Sequence, residues 1–127
     1  MMGDSGRDFC NELREKTKII HDESDNLVNL KLAAVLTDTQ LWGQVLGDFY
    51  FVFETLEQAL GQYKDHCRIA PLQLVVEDML RTGAFQKDLL YYLGQDWNKK
   101  ISPSLHAQRY CDRLLKISDE DPTLLIA

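Results

Sequence analysis

Residues 13–25 run Leu-Arg-Glu-Lys-Thr-Lys-Ile-Ile-His-Asp-Glu-Ser-Asp, a charged amphipathic pattern that carries a single imidazole, His21. On a helix, residues seven apart return to nearly the same azimuth, so Arg14 stands two turns before His21, about 10 Å along the axis. Lys18 lies one turn before the histidine on a neighbouring row. One face therefore offers an imidazole with two cations displaced toward the helix N-terminus. That arrangement suits a flat ligand with a metal at its centre and carboxylates at its rim, a description that haem meets. A competing reading stands beside it: a lone histidine among Asp22, Glu23 and Asp25 is more often a solvated helix residue than an iron ligand.

Other chemistries lack their motifs. Di-iron carboxylate bundles need a Glu-x-x-His pair on each of two helices, and neither Glu-x-x-His nor His-Glu-x-x-His occurs. His66 and His106 share no ligand spacing with His21 and read as surface residues. The absence of GxGxxG, P-loop and GxSxG patterns removes dinucleotide binding, phosphate cradling and a serine-hydrolase elbow as motif-based readings. Cys10, Cys67 and Cys111 are odd in number and far apart, so neither a disulfide framework nor a zinc site is expected. A reducing, intracellular and cytoplasmic setting is the simpler reading.

The elements that would position His21 are helical throughout. A tail is expected over residues 1–6, then a first helix over 7–23 with Leu13, Thr17, Ile20, Ser24 and Leu27 as an inward stripe at three and four spacing. A short second helix is expected over 27–36. The longest helix, over 39–64, has Leu41, Val45, Leu46, Phe49, Val52, Phe53, Leu56 and Leu60 at helical spacing and is the expected spine. Gly43 and Gly47 on it form a GxxxG, which in a soluble helix more often admits a close neighbour than a membrane dimer. Pro71 weakens the pattern over 65–81, where one or two short helices such as 72–80 are expected. Thr82 and Gly83 read as a break before a helix over 84–93, and Gly94 ends that helix. A short turn or helix at Trp97 and a helix over 104–116 follow. No strand alternation or hairpin signal appears, so the fold class is all-α.

With 127 residues and 45% hydrophobic content the chain is one domain. Its net charge of −6 and scattered basic residues disfavour nucleic acid as a partner. The opening Met-Met-Gly-Asp-Ser-Gly-Arg-Asp has no apolar core of a signal peptide, and Arg7 stands where a myristoylation signal wants Ser or Thr. No apolar run approaches the roughly 20 residues of a membrane span. A soluble protein is expected.

Residues 13–25 resemble the proximal helix of haem oxygenases, which runs Leu-basic-x-x-Thr-x-x-x-His and supplies the axial histidine. Three further segments match in order: 48–60 (DFYFVFETLEQAL), 85–97 (FQKDLLYYLGQDW) and 108–114 (QRYCDRL). The resemblance implies the N-terminal part of a haem-oxygenase-like helical domain over 7–127. It implies cleavage of haem to biliverdin, carbon monoxide and ferrous iron, with haem as substrate and cofactor and electrons from NADPH through a cytochrome P450 reductase. His21 then takes the axial iron position. Arg14, where the family usually has lysine, joins Lys18 and Tyr110 on the propionate side, and Tyr110 read by itself is a core tyrosine with a wet hydroxyl. Asp25 stands where mammalian-type members carry a glutamate that orients the histidine, one methylene shorter here.

Asp121-Pro122 reads as a helix start, with the apolar run Leu124, Leu125, Ile126 and Ala127 after it. In the resembled family a Leu-Leu-x-Ala segment precedes a distal helix with a Gly-Asp-Leu-Ser-Gly-Gly stretch, whose aspartate organises the water that serves oxygen chemistry. No such stretch occurs in the 127 residues, so no catalytic residue is assigned here. A truncated product, splice form or fragment is the expectation, with weak haem binding, little turnover, and an endoplasmic reticulum address only if a longer form carries a tail anchor. Two alternatives remain open: a non-catalytic haem-binding form, and a helical interaction module whose Leu124–Ile126 run docks on a partner.

Overall fold

A computed structural model describes the backbone of residues 4–126 and the side chains of residues 8–126. Two compact units divide it, Met1–Asp38 and Thr39–Ala127. Every regular element among the described residues is helical. The fold class is all-α, as expected.

The first unit is one helix, α1 (Asp4–Val35). The break expected between residues 23 and 27 does not occur. Ser24, Asp25 and Asn26 are poor helix formers, but each costs only about 0.5 kcal/mol and none removes a backbone donor, so the ladder runs through them. Of the tail expected over 1–6, residues 1–3 lie outside the described residues and 4–6 form the first turn of α1. At the other end the chain leaves the helix through a turn in which the Thr37 hydroxyl donates to the Ala34 carbonyl (2.7 Å). Leu13, Ile20 and Leu27 are exposed rather than buried, so the expected inward stripe has no core of its own.

The second unit is built on α2 (Thr39–Gln62), the expected spine. A 3-10 turn (Ala70–Leu72) and the short α3 (Gln73–Asp78) follow, with Pro71 at the start as its missing N–H requires. Next come α4 (Thr82–Leu93), α5 (Trp97–Lys100), α6 (Leu105–Glu120) and a closing 3-10 turn (Pro122–Ile126). Both α4 and α6 pack on α2. Leu46, Tyr50 and Leu89 form the core between α2 and α4, flanked by Trp42, Phe85, Leu93, Trp97 and Ile101.

The packing explains the GxxxG. A Cβ on Gly43 would sit 2.6 Å from Leu93 Cδ2, and one on Gly47 would sit 3.2 Å from Ile101 Cγ2. The two glycines are notches for the end of α4 and the strap after α5. Thr82 and Gly83 are not a break but the first turn of α4. Glu57 on α2 supplies the cap, accepting from the backbone N–H groups of Arg81 (2.5 Å) and Thr82 (3.2 Å) and from the Thr82 hydroxyl. Gly94, at φ 87°, ends α4 in the left-handed region where only glycine is unstrained, and Lys100 Nζ donates to the Leu93 carbonyl (2.6 Å).

Ser104 caps α6, accepting from the Ala107 N–H (3.2 Å), while its own N–H donates to Asp48 on α2 (2.9 Å). Ala107, Cys111 and Ser118 face inward, and this helix extends four residues past its expected end at 116. Beyond it, Asp121 accepts from the Thr123 N–H (3.1 Å) at the start of a 3-10 turn rather than the expected α-helix.

Candidate functional site

Arg14, Lys18 and His21 share one face of α1, as their spacing requires. With Glu15, Thr17 and Asp22 they line a surface groove of about 320 Å³. Thr17, also in the lining, donates its hydroxyl to the Leu13 carbonyl of its own helix (2.8 Å). Lys18 pairs with Asp22 one turn on (2.9 Å), both side chains well exposed. The His21 ring is exposed and takes no hydrogen bond from the described residues. Asp25, also exposed, does not line the groove, and among the described residues no hydrogen bond joins it to the imidazole. The arrangement can present a nitrogen donor beside two cations, one already neutralised in part.

Tyr110 belongs to the second unit, where it is exposed on α6 rather than being a core tyrosine. It lines an apolar groove of about 700 Å³ between α2, α6 and the closing 3-10 turn, floored by Phe49, Val52, Phe53 and Leu114. His106 and Asp48 add polar atoms to its wall. Leu124 and Leu125 line one side, and Leu125 and Ile126 continue into a neighbouring apolar cleft of about 220 Å³ with Leu72, Val76 and Met79. The run at 124–126 is thus partly packed within its own unit. Periodicity had marked Phe49 and Val52 as apolar, but only the helix arrangement shows that they floor a groove instead of a core.

Three ionisable groups in the second unit are perturbed. Burial, then the hydrogen bond to Glu54, pushes the Tyr50 hydroxyl above its ordinary value. Tyr63 moves the same way through desolvation and its hydrogen bond to Asp119 (3.1 Å). Asp121 is held below the usual carboxylate value by hydrogen bonding with Thr123, aided by the charge of Arg68. None of the three belongs to the α1 groove. No group of three or more metal-ligating side chains gathers among the described residues. No helix among the described residues is long and apolar enough to cross a membrane.

Residues 7–127 match the sequence model of the family described as "Heme oxygenase". A heme oxygenase of Porphyra purpurea is 33% identical over 120 residues, covering 94% of this chain and 50% of that protein. Heme oxygenase 2 of Mus musculus is 31% identical over 121 residues, covering 94% of this chain and 38% of that one. Among solved structures, heme oxygenase 2 from Chlamydomonas reinhardtii, crystallised without heme, superposes with a TM-score of 0.80 at 30% identity, covering 91% of this chain and 56% of its own. Heme oxygenase-1 from Synechocystis sp. PCC6803 in complex with heme gives 0.75 at 27% identity, with 91% and 52% covered. The chain spans about half the length of the relatives it matches.

Proposed function

The chain belongs to the haem oxygenase family, and we propose that α1 supplies the face of a haem site that ligates iron, with His21 as the axial ligand and Arg14 and Lys18 reaching the propionates. The observation that carries this reading is the groove shared by those three side chains on one helix face. Their donor chemistry fits the group. An imidazole nitrogen suits haem iron, and the guanidinium of Arg14 offers a planar fork to a carboxylate. Lys18 gives up little by exchanging Asp22 for a propionate, since an exposed pair of this kind contributes about 0.3–0.5 kcal/mol. Tyr110 is the further propionate candidate through its hydroxyl, and Asp25 the candidate for orienting the imidazole.

By resemblance, the reaction of the family's complete site is oxidative cleavage of haem to biliverdin, carbon monoxide and ferrous iron, with electrons from NADPH through a cytochrome P450 reductase. Bound haem supplies the redox-active iron and is itself the molecule cleaved. Toward bound haem, His21 would offer a ring nitrogen to the iron, and Arg14 and Lys18 would fix the acidic edge. No residue of the chain is given a proton-transfer role. The 127-residue polypeptide is therefore expected to bind haem with turnover far below that of a full-length relative.

Addition of haem should produce a Soret band that His21→Ala abolishes, and biliverdin formation should be slow. A band that persists in His21→Ala removes the axial assignment. Turnover matching a full-length relative removes the division between holding haem and cleaving it. A second reading, haem or partner binding without turnover, is favoured by the large apolar groove lined by Phe49 and Tyr110.

A further inference from the structure

Of the five tyrosines only Tyr50 is buried, at 8% exposure, and the proposed haem site does not use it. It sits midway along α2, where its hydroxyl donates to the carboxylate of Glu54 one turn on. Gln86 of α4 hydrogen-bonds to the same phenolic oxygen, so the group is held from two helices. The ring packs edge to face against the indole of Trp97, with centroids 5.3 Å apart and planes at 82°. Tyr63 also donates to a carboxylate, that of Asp119 (3.1 Å), but none of the aromatic pairs among the described residues includes it. We propose that Tyr50 is a redox-active tyrosine, oxidised by one electron through Trp97, with Glu54 as the acceptor of its proton.

The chemistry of a phenol sets what such a site needs. Burial, then the bond to Glu54, holds the hydroxyl protonated at rest, so an electron must leave from the phenol and not from a phenolate. A phenol that has lost an electron is a strong acid. Its proton must therefore move as the electron leaves, and with the ring buried the nearest acceptor is the carboxylate already bonded to the hydroxyl. Tyr50 has that acceptor and an indole in contact, whereas Tyr63 has only the first.

The step balances. Trp97 gives one electron to a metal-complex oxidant of high potential, and the indole radical cation then takes one electron from Tyr50. The O–H bond of Tyr50 breaks and its proton passes to Glu54. The products are a neutral phenoxyl radical, a neutral carboxylic acid and the restored indole. Reduction by one electron returns the proton to Tyr50. Electrons cross packed atoms, so the relay needs no open surface, and every residue in it lies in the second unit. The step is separate from haem cleavage and does not rest on haem binding.

The test uses the full 127-residue chain with the exposed Tyr91, Tyr92 and Tyr110 replaced by Phe, helix content being checked by circular dichroism. Ruthenium(III) tris-bipyridine, generated by light with a cobalt(III) ammine as terminal electron acceptor, is the oxidant. Transient absorption and electron paramagnetic resonance follow the radicals at neutral pH. A phenoxyl radical should form, be lost in Tyr50→Phe and persist in Tyr63→Phe. Glu54→Gln keeps an acceptor for the phenol bond but cannot take up the proton, and should slow phenoxyl formation about tenfold or more, which a merely structural role would not do. Trp97→Phe keeps an aromatic edge contact and should slow it severalfold. Oxidation that stops at tryptophan, or a phenoxyl signal lost in Tyr63→Phe instead, overturns the proposal. An unchanged rate in Glu54→Gln or in Trp97→Phe overturns the part assigned to that residue.

Discussion

The carboxylate of Glu57 lies across the first turn of α4, accepting from the backbone N–H of Thr82 (3.2 Å) and from its hydroxyl. Arg81 donates its N–H to the same group (2.5 Å). No side chain from the residue preceding α4 performs this task, because Arg81 stands there without a capping hydrogen bond. A residue 25 positions away in the chain satisfies the orphan donors and brings negative charge to the positive helix end.

Replacing Glu57 with Ala should therefore destabilise the second unit by about 1–2 kcal/mol, the range for a lost helix cap, with Glu57→Gln retaining part of it. Urea denaturation followed by circular dichroism measures the change. A value within about 0.3 kcal/mol of the parent would show that water replaces the carboxylate at no cost.

The glycines of α2 should respond in opposite senses. Gly43→Ala drives a methyl to 2.6 Å from Leu93 Cδ2 and 3.0 Å from its Cγ, and should cost about 1–3 kcal/mol of overpacking. A Cβ on Gly61 meets nothing within 4 Å, so Gly61→Ala should stabilise by about 0.5–1 kcal/mol through helix propensity. Thermal melts of the two variants decide it, and equal effects would refute the notch.

Tyr50 and Tyr63 both titrate above their ordinary value of 10.0 in the folded chain. The folded state then holds these protons more tightly than the unfolded one, so their stabilisation is complete below about pH 10 and is lost as pH rises beyond it. Asp121 runs the other way. Its lowered value contributes stability above the usual 3.8 that is lost as pH falls through the folded value. Melting temperature should be level from about pH 6 to 9 and fall at both extremes, the alkaline fall being smaller in Tyr50→Phe. A rise above about pH 10 would contradict the signs.

Arg14→Ala should weaken haem binding about two- to fivefold, the worth of one exposed ion pair, and leave the affinity for haem dimethyl ester unchanged. Asp22→Asn should tighten haem binding slightly by releasing Lys18 from its 2.9 Å partner. Spectrophotometric titration of the two variants against both ligands provides the comparison. An Arg14→Ala effect of equal size on the ester would mean that Arg14 acts on something other than the propionates.

The helices themselves were legible in the sequence because periodicity and terminal residues act locally. Gly94 ends α4 and Ser104 caps α6 where turn and cap chemistry require. The continuity of α1 was not legible, since three polar residues in a row read as a boundary but carry no obligate breaker. Thr82 and Gly83 misled for a related reason: their cap comes from Glu57, on a different helix. At the candidate site, spacing alone set the grouping of Arg14, Lys18 and His21, whereas the groove beside Tyr110 depends on how α2 and α6 meet, which no local pattern encodes.

The unbroken run of α1 from Asp4 to Val35 has a geometric corollary. With no tertiary framework needed to aim them, the bearings of the guanidinium, the amine and the imidazole are fixed by arithmetic along a rigid screw. Adding a single alanine between Lys18 and His21 would swing the ring by about 100° away from both cations, whereas the same insertion after Asn29 would leave the trio untouched.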